Sequence, residues 1–174
     1  MKIRNLLMTL PLIVGVGLVV DSAPAAAAAK PRVVWVYVQN KATATKYWPI
    51  HRALQFVDKY TGSQFKYGKC HAHAKCITIK EDWKLAPLYA GMANFRGPYV
   101  QLSNGETDWS ATIQLQPRQR SANWWMRYDT VVHELGHAMG IYTHNADSSR
   151  TMYWMVRSNA PSFSWAEQKI LRRH

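Results

Sequence analysis

Acidic residues are scarce in this chain: ten Asp and Glu stand against 22 Lys and Arg, a formal net charge of +12 over 174 residues. The cations are spread along the sequence without a long basic run. That pattern suits a soluble basic protein with some affinity for anionic cell-surface polymers, and it offers no dedicated tract for specific nucleic-acid binding. Long apolar runs are lacking too. The longest, Leu6 to Val20, falls short of the roughly 20 residues that a membrane-spanning helix needs. It follows Lys2 and Arg4 and precedes an alanine-rich stretch ending at Ala29. A positive start, an apolar core and a small-residue cleavage region predict a secretory signal peptide over residues 1–29. No Cys lies there, which argues against a lipid-modified anchor. Residues 30–174 then form one domain of ordinary size, with no repeats, no internal linker and no room for a separate pro-domain. The expected product is a secreted, extracellular monomer.

Cysteine is almost absent. Cys70 and Cys76 are the two that occur. An even pair in an exported chain predicts a disulfide. A metal site built from Cys70, His71, His73 and Cys76 is the alternative, but its spacing matches no zinc-ligand pattern.

Turning to what is present, Val33 to Gln39 is β-branched and aromatic and reads as a buried strand. Ile50, Ala53, Leu54 and Val57 have helical spacing and predict a helix over Tyr47 to Tyr60. Short strands are expected at Gln64 to Tyr67, Cys76 to Lys80 and Tyr99 to Leu102. Trp83 to Gly97 reads as loop, with Leu88 to Ala93 able to pair as a strand. Thr112 to Leu115 alternates and stops at Pro117, which suits an edge strand. A helix follows over Asp129 to Met139, then irregular chain over Asn145 to Asn159. A closing helix runs from Ser164 to Leu171, opened by a Ser-Trp-Ala-Glu capping box. Early strands and late helices predict an α+β fold, a mixed sheet with packed helices.

The chemistry concentrates in His133-Glu134-Leu135-Gly136-His137. Helical residues four apart share a face, so His133 and His137 present two imidazoles to one point, as a zinc ion requires. Glu134 lies beside that face, where it can reach water at the metal without being a ligand. Three protein ligands would leave the fourth zinc position open to water and lower its pKa to about 7. Glu134 would then act as general base and pass the proton to a leaving amine. Gly140 can take a positive φ and turn the chain back toward the metal. Of the residues beyond it, Thr143 is a poor ligand and His144 a good one. His144 is therefore the expected third ligand, with Asp147 as the fallback.

This stretch resembles the metzincin superfamily of zinc endopeptidases, whose motif is HExxHxxGxxH followed by a methionine turn. The present sequence reads HExxHxxGxxxH, one residue longer. Snapalysin-like enzymes are similar as well, but Thr143 stands where they place a ligand Asp. Downstream, His144, Asp147, Met152 and Tyr153 look like the matrixin pattern. The resemblance implies Met152 as the turn methionine, with Met155 as the alternative. It implies a zincin-like mixed twisted β-sheet with a long active-site helix and a short C-terminal helix. It also implies one catalytic Zn2+, with structural Ca2+ possible at no assignable loop, and a polypeptide substrate lying extended along an edge strand near Thr112 to Leu115. The expected activity is that of a secreted zinc metalloendopeptidase. The rivals are a zinc-binding module without activity and a basic polyanion-binding or cell-surface-binding protein. Trp124, Trp125 and Trp154 flank the motif and are candidates for substrate pockets.

Overall fold

A computed structural model of the chain describes residues 32–70, 75–101, 107–155 and 159–173. The expected signal peptide, residues 1–29, lies outside the described residues, as do His71 and His73. Among the described residues, no helix is long and apolar enough to cross a membrane.

Among the described residues, five strands and four α-helices form the fold. The strands are β1 (Arg32–Val38), β2 (Ser63–Tyr67), β3 (Cys76–Glu81), β4 (Gly91–Gln101) and β5 (Thr107–Leu115). The helices are α1 (Lys41–Tyr47), α2 (Ile50–Asp58), α3 (Trp124–Ala138) and α4 (Trp165–Leu171), with a 3-10 turn at Pro117–Ser121. The sheet order is β2-β1-β3-β5-β4. All neighbours are parallel except β4, which runs antiparallel to β5. The sheet is mixed, as the element order predicted, and zincin-like, as the metzincin resemblance implied.

One face of the sheet is apolar. Val34, Val36, Val38, Ile77, Ile79, Ile113 and Leu115 alternate inward and are buried. They meet Ala53, Leu54 and Val57 of α2 and Val131, Val132 and Leu135 of α3 in one continuous core. The period-2 pattern of the strands and the period-3.6 pattern of the helices therefore point at the same interior.

Three local expectations change. The helix predicted over Tyr47 to Tyr60 is the shorter α2, and an additional helix, α1, precedes it; Pro49, which has no N–H to donate, separates the two. The long helix starts at Trp124, ahead of the predicted Asp129, with Asn123 as its cap accepting from the Met126 N–H at 2.8 Å. Thr112 to Leu115 is not an edge strand. It belongs to β5, which is paired on both sides, to β3 and to β4. Pro117 sits beyond the end of the strand, so the missing proline N–H removes nothing from either ladder. The edge on that side is β4, Gly91–Gln101, most of which the sequence pattern had read as loop.

Cys70 and Cys76 form a disulfide that ties the segment before β3 to that strand. Both thiols are thereby consumed and no free cysteine remains among the described residues.

Candidate metal centre

The centre is assembled at the end of α3. Its last turn closes as a Schellman motif: the Gly140 N–H donates to the His137 carbonyl at 2.9 Å and the Ile141 N–H to the Gly136 carbonyl at 3.0 Å. Gly140 has φ 95°, a left-handed conformation that a side chain at this position would oppose. The turn reverses the chain and returns His144 to the face of α3 that carries His133 and His137. Ring nitrogens of all three lie within 4.8 Å of one another.

Two backbone carbonyls set the histidine tautomers. His133 Nδ1 lies 2.7 Å from the Thr151 carbonyl and His137 Nδ1 lies 2.5 Å from the Ile141 carbonyl. A carbonyl oxygen only accepts, so each Nδ1 carries the hydrogen and donates. Each neutral ring is left with a bare lone pair on Nε2. His137 Nε2 nevertheless sits 3.1 Å from His133 Nε2 and 3.2 Å from His144 Nε2. The lone pairs of His133 and His137, facing at that range, repel unless a cation shares them. Imidazole nitrogens around one tetrahedral zinc, each about 2.05 Å from the ion, would lie about 3.3 Å apart. The donor set therefore fits a metal ion held by three imidazoles. Burial, the largest influence, lowers the His137 pKa and keeps the ring in the neutral form that a ligand must have.

Asp147 stands apart from this group. One carboxylate oxygen accepts from the Ser149 N–H at 2.7 Å, and the other lies 3.3 Å from Arg150 Nε. Its carboxylate organises the exposed turn that follows His144. Thr143 is exposed and is not part of the histidine group.

Met152 is fully buried beneath the helix. A Cβ at Gly136 would lie 2.5 Å from Met152 Sδ, so the glycine inside the HELGH segment is what lets the methionine approach. The segment around Met152 also supports the ligands. The Met152 carbonyl accepts from the Asn145 N–H at 2.6 Å, next to His144, and the preceding Thr151 carbonyl orients His133. Met155, the alternative turn methionine, is exposed on the cleft rim.

Glu134 is buried beside the histidines, and this desolvation pushes its carboxyl up to about 8, opposed by a hydrogen bond from the Ala93 N–H. A nearby cation would favour the ionised form. The cleft over the site has a volume of about 810 Å³. One wall is β4 with the preceding Leu88 and Tyr89, and the other carries Tyr142, Trp154 and Met155. Among the described lining residues Glu134 is the one carboxylate, and no Lys or Arg occurs. Trp154 thus lines the cleft as expected from its position, whereas Trp124 and Trp125 do not. Sequence reasoning missed Thr151, Ile141 and Ala93, which act through backbone atoms and leave no signature in residue type. It also missed the reason for Gly136, although a glycine in the middle of a helix is itself a signal of close packing.

No family model and no curated protein matches the chain. Among solved structures, it is similar to archaemetzincin from Methanopyrus kandleri, with a TM-score of 0.52 and 13% sequence identity. The likeness covers 86% of this chain and 98% of that one. At such low identity the likeness concerns the fold alone.

Proposed function

We propose that the chain is a secreted zinc metalloendopeptidase, with His133, His137 and His144 as ligands and Glu134 as general base. The observation that carries this reading is the convergence of three Nε2 atoms, with His137 3.1 Å from His133 and 3.2 Å from His144, and a buried carboxyl beside them in an open cleft. When bound, a zinc ion with three imidazole ligands supplies a Lewis acid that acidifies water and polarises a carbonyl.

The chain's own residues supply the rest. Glu134 is the carboxylate at the site and, once ionised, is the group available to take a proton from water and return it to the leaving amine. The Thr151 and Ile141 carbonyls fix the imidazoles in the ligand tautomer. β4 is a sheet edge in the cleft wall, so it can accept an extended polypeptide as an added strand. The cleft's apolar lining supports uncharged, apolar peptide segments as substrate, in contrast to the basic character of the chain as a whole. The metzincin name of the fold neighbour supports the same reading. Secretion is inferred from the N-terminal sequence pattern alone.

The test is peptide hydrolysis by the processed chain loaded with zinc, alongside Glu134→Ala and a chelator control. Glu134→Ala should keep its metal and lose at least about a hundredfold in rate, the lower end for loss of a general base. Full activity in that variant, or a folded chain that takes up no zinc near neutral pH, would refute the proposal.

A further inference from the structure

The edge strand approaches α3 unusually closely at one residue. A Cβ built on Gly91 would lie 2.7 Å from Glu134 Cγ, 3.0 Å from Glu134 Oε1 and 3.0 Å from Thr130 Cγ2. Real Cβ atoms essentially never come within 3.0 Å of a neighbour, so only a glycine fits here without something moving. Thr130 and Glu134 are four apart and share one stripe of the helix. Thr130 cannot yield easily, because it is fully buried and its hydroxyl donates to the Met126 carbonyl at 2.8 Å. The carboxylate side chain is therefore the part that would have to give way.

Two residues along, the same strand supplies the Ala93 N–H that donates to the Glu134 carboxyl. Alternate residues of a strand direct their backbone groups to the same side. Gly91 sets the gap between strand and helix, and that gap lets the Ala93 N–H reach the carboxyl. We infer that Gly91 is a positioning residue for Glu134, holding the general base in place by the absence of a side chain. This rests on the peptidase reading for its kinetic consequence, whereas the steric coupling of Gly91 to Glu134 does not.

The experiment uses Gly91→Ala, Glu134→Ala and the double variant in the full processed chain. Thermal unfolding in the absence of metal provides the readout that is independent of activity. Gly91→Ala should lower Tm by roughly 3–6 °C for a domain of this size. The same substitution in the Glu134→Ala background should lower it by less than half as much, since only the Thr130 contact remains. Equal Tm losses in the two backgrounds would overturn the inference. If Gly91→Ala fails to fold, the double variant should fold, and failure of both would also overturn it. In zinc-loaded protein, Gly91→Ala should reduce kcat by at least about tenfold, with KM and bound zinc within about twofold of the parent. Unchanged kcat in an active enzyme would overturn the positioning role. A parent chain that binds zinc but cleaves nothing would refute the peptidase reading instead, and the Tm comparison would then decide the Gly91–Glu134 coupling by itself.

Discussion

Replacing Gly136 with alanine tests how tightly the helix is seated on the buried methionine. In an unhindered helix interior this change should stabilise by about 1 kcal/mol, since alanine is the better helix former. Here the new methyl would meet Met152 Sδ at 2.5 Å, and Met152 Cε and Phe163 Cε1 at 3.3 Å each. Met152 is 0% exposed and Phe163 2%, so neither has free space to enter. Overpacking of this kind costs about 1–3 kcal/mol. The propensity gain offsets part of that, leaving a net loss of up to about 2 kcal/mol. With a urea m-value of about 2 kcal/mol/M, the unfolding midpoint of the metal-free protein should fall by up to about 1 M. Gly62→Ala is the control, because nothing lies within 4 Å of its added Cβ. It should be neutral or slightly stabilising. Displacement of Met152 should also disturb the neighbouring Thr151 carbonyl and weaken zinc binding by about 10–100-fold, the usual scale for losing an orienting partner of a ligand. A Gly136→Ala midpoint at or above that of the parent would show that the methionine is not packed as described.

Two further outcomes follow from the site and from the sheet. His144→Ala should abolish stoichiometric zinc, whereas Asp147→Ala should retain it, because the Asp147 carboxylate is occupied by Ser149 and Arg150. Metal analysis after dialysis separates the two, and loss of zinc in Asp147→Ala alone would reverse the assignment. Away from the site, Glu81 receives Arg120 Nε at 2.8 Å, Arg120 Nη2 at 2.5 Å and Trp48 Nε1 at 2.9 Å. Chiefly through Arg120, these bonds hold the Glu81 carboxyl below its ordinary value of 4.5. A depressed folded-state pKa contributes stability that is fully present above about pH 4.5 and is lost as pH falls through the folded value. Denaturation of Glu81→Gln should show a deficit of about 1–3 kcal/mol near neutral pH that shrinks in acid. A deficit independent of pH would refute the ion-pair account.

Much of the fold was legible because its signals are local and agree with one another. β1 and β3 announce themselves by β-branched alternation, α2 by Ile50, Ala53, Leu54 and Val57, and α4 by a capping box in which Ser164 and Glu167 bond reciprocally. His133, His137 and His144 were nameable because a helical turn and a glycine bend constrain where imidazoles can point. The edge strand was legible only in part. Tyr99 to Leu102 was expected as a short strand and Leu88 to Ala93 as able to pair, but Gly91, Ala93 and Gly97 fell in a stretch read as loop, since small residues suppress the usual strand pattern. The physical reason lies outside the strand: α3 presses against it at Gly91, and small residues there answer to the neighbouring helix. The break at Pro49 and the cap at Asn123 were visible in the sequence but carried less weight than the apolar periodicity around them.

The capping glutamate of α4 has a second partner. While one Glu167 oxygen accepts from the Ser164 N–H at 2.6 Å, the other accepts from Asn145 Nδ2 at 3.0 Å, immediately after His144. The loop that carries the third imidazole is thus moored to the N-terminus of α4 through its neighbour Asn145. Fraying the first turn of α4 would free that amide and let His144 drift from the other two rings, so a helix remote in sequence from His133 and His137 helps to hold the three together.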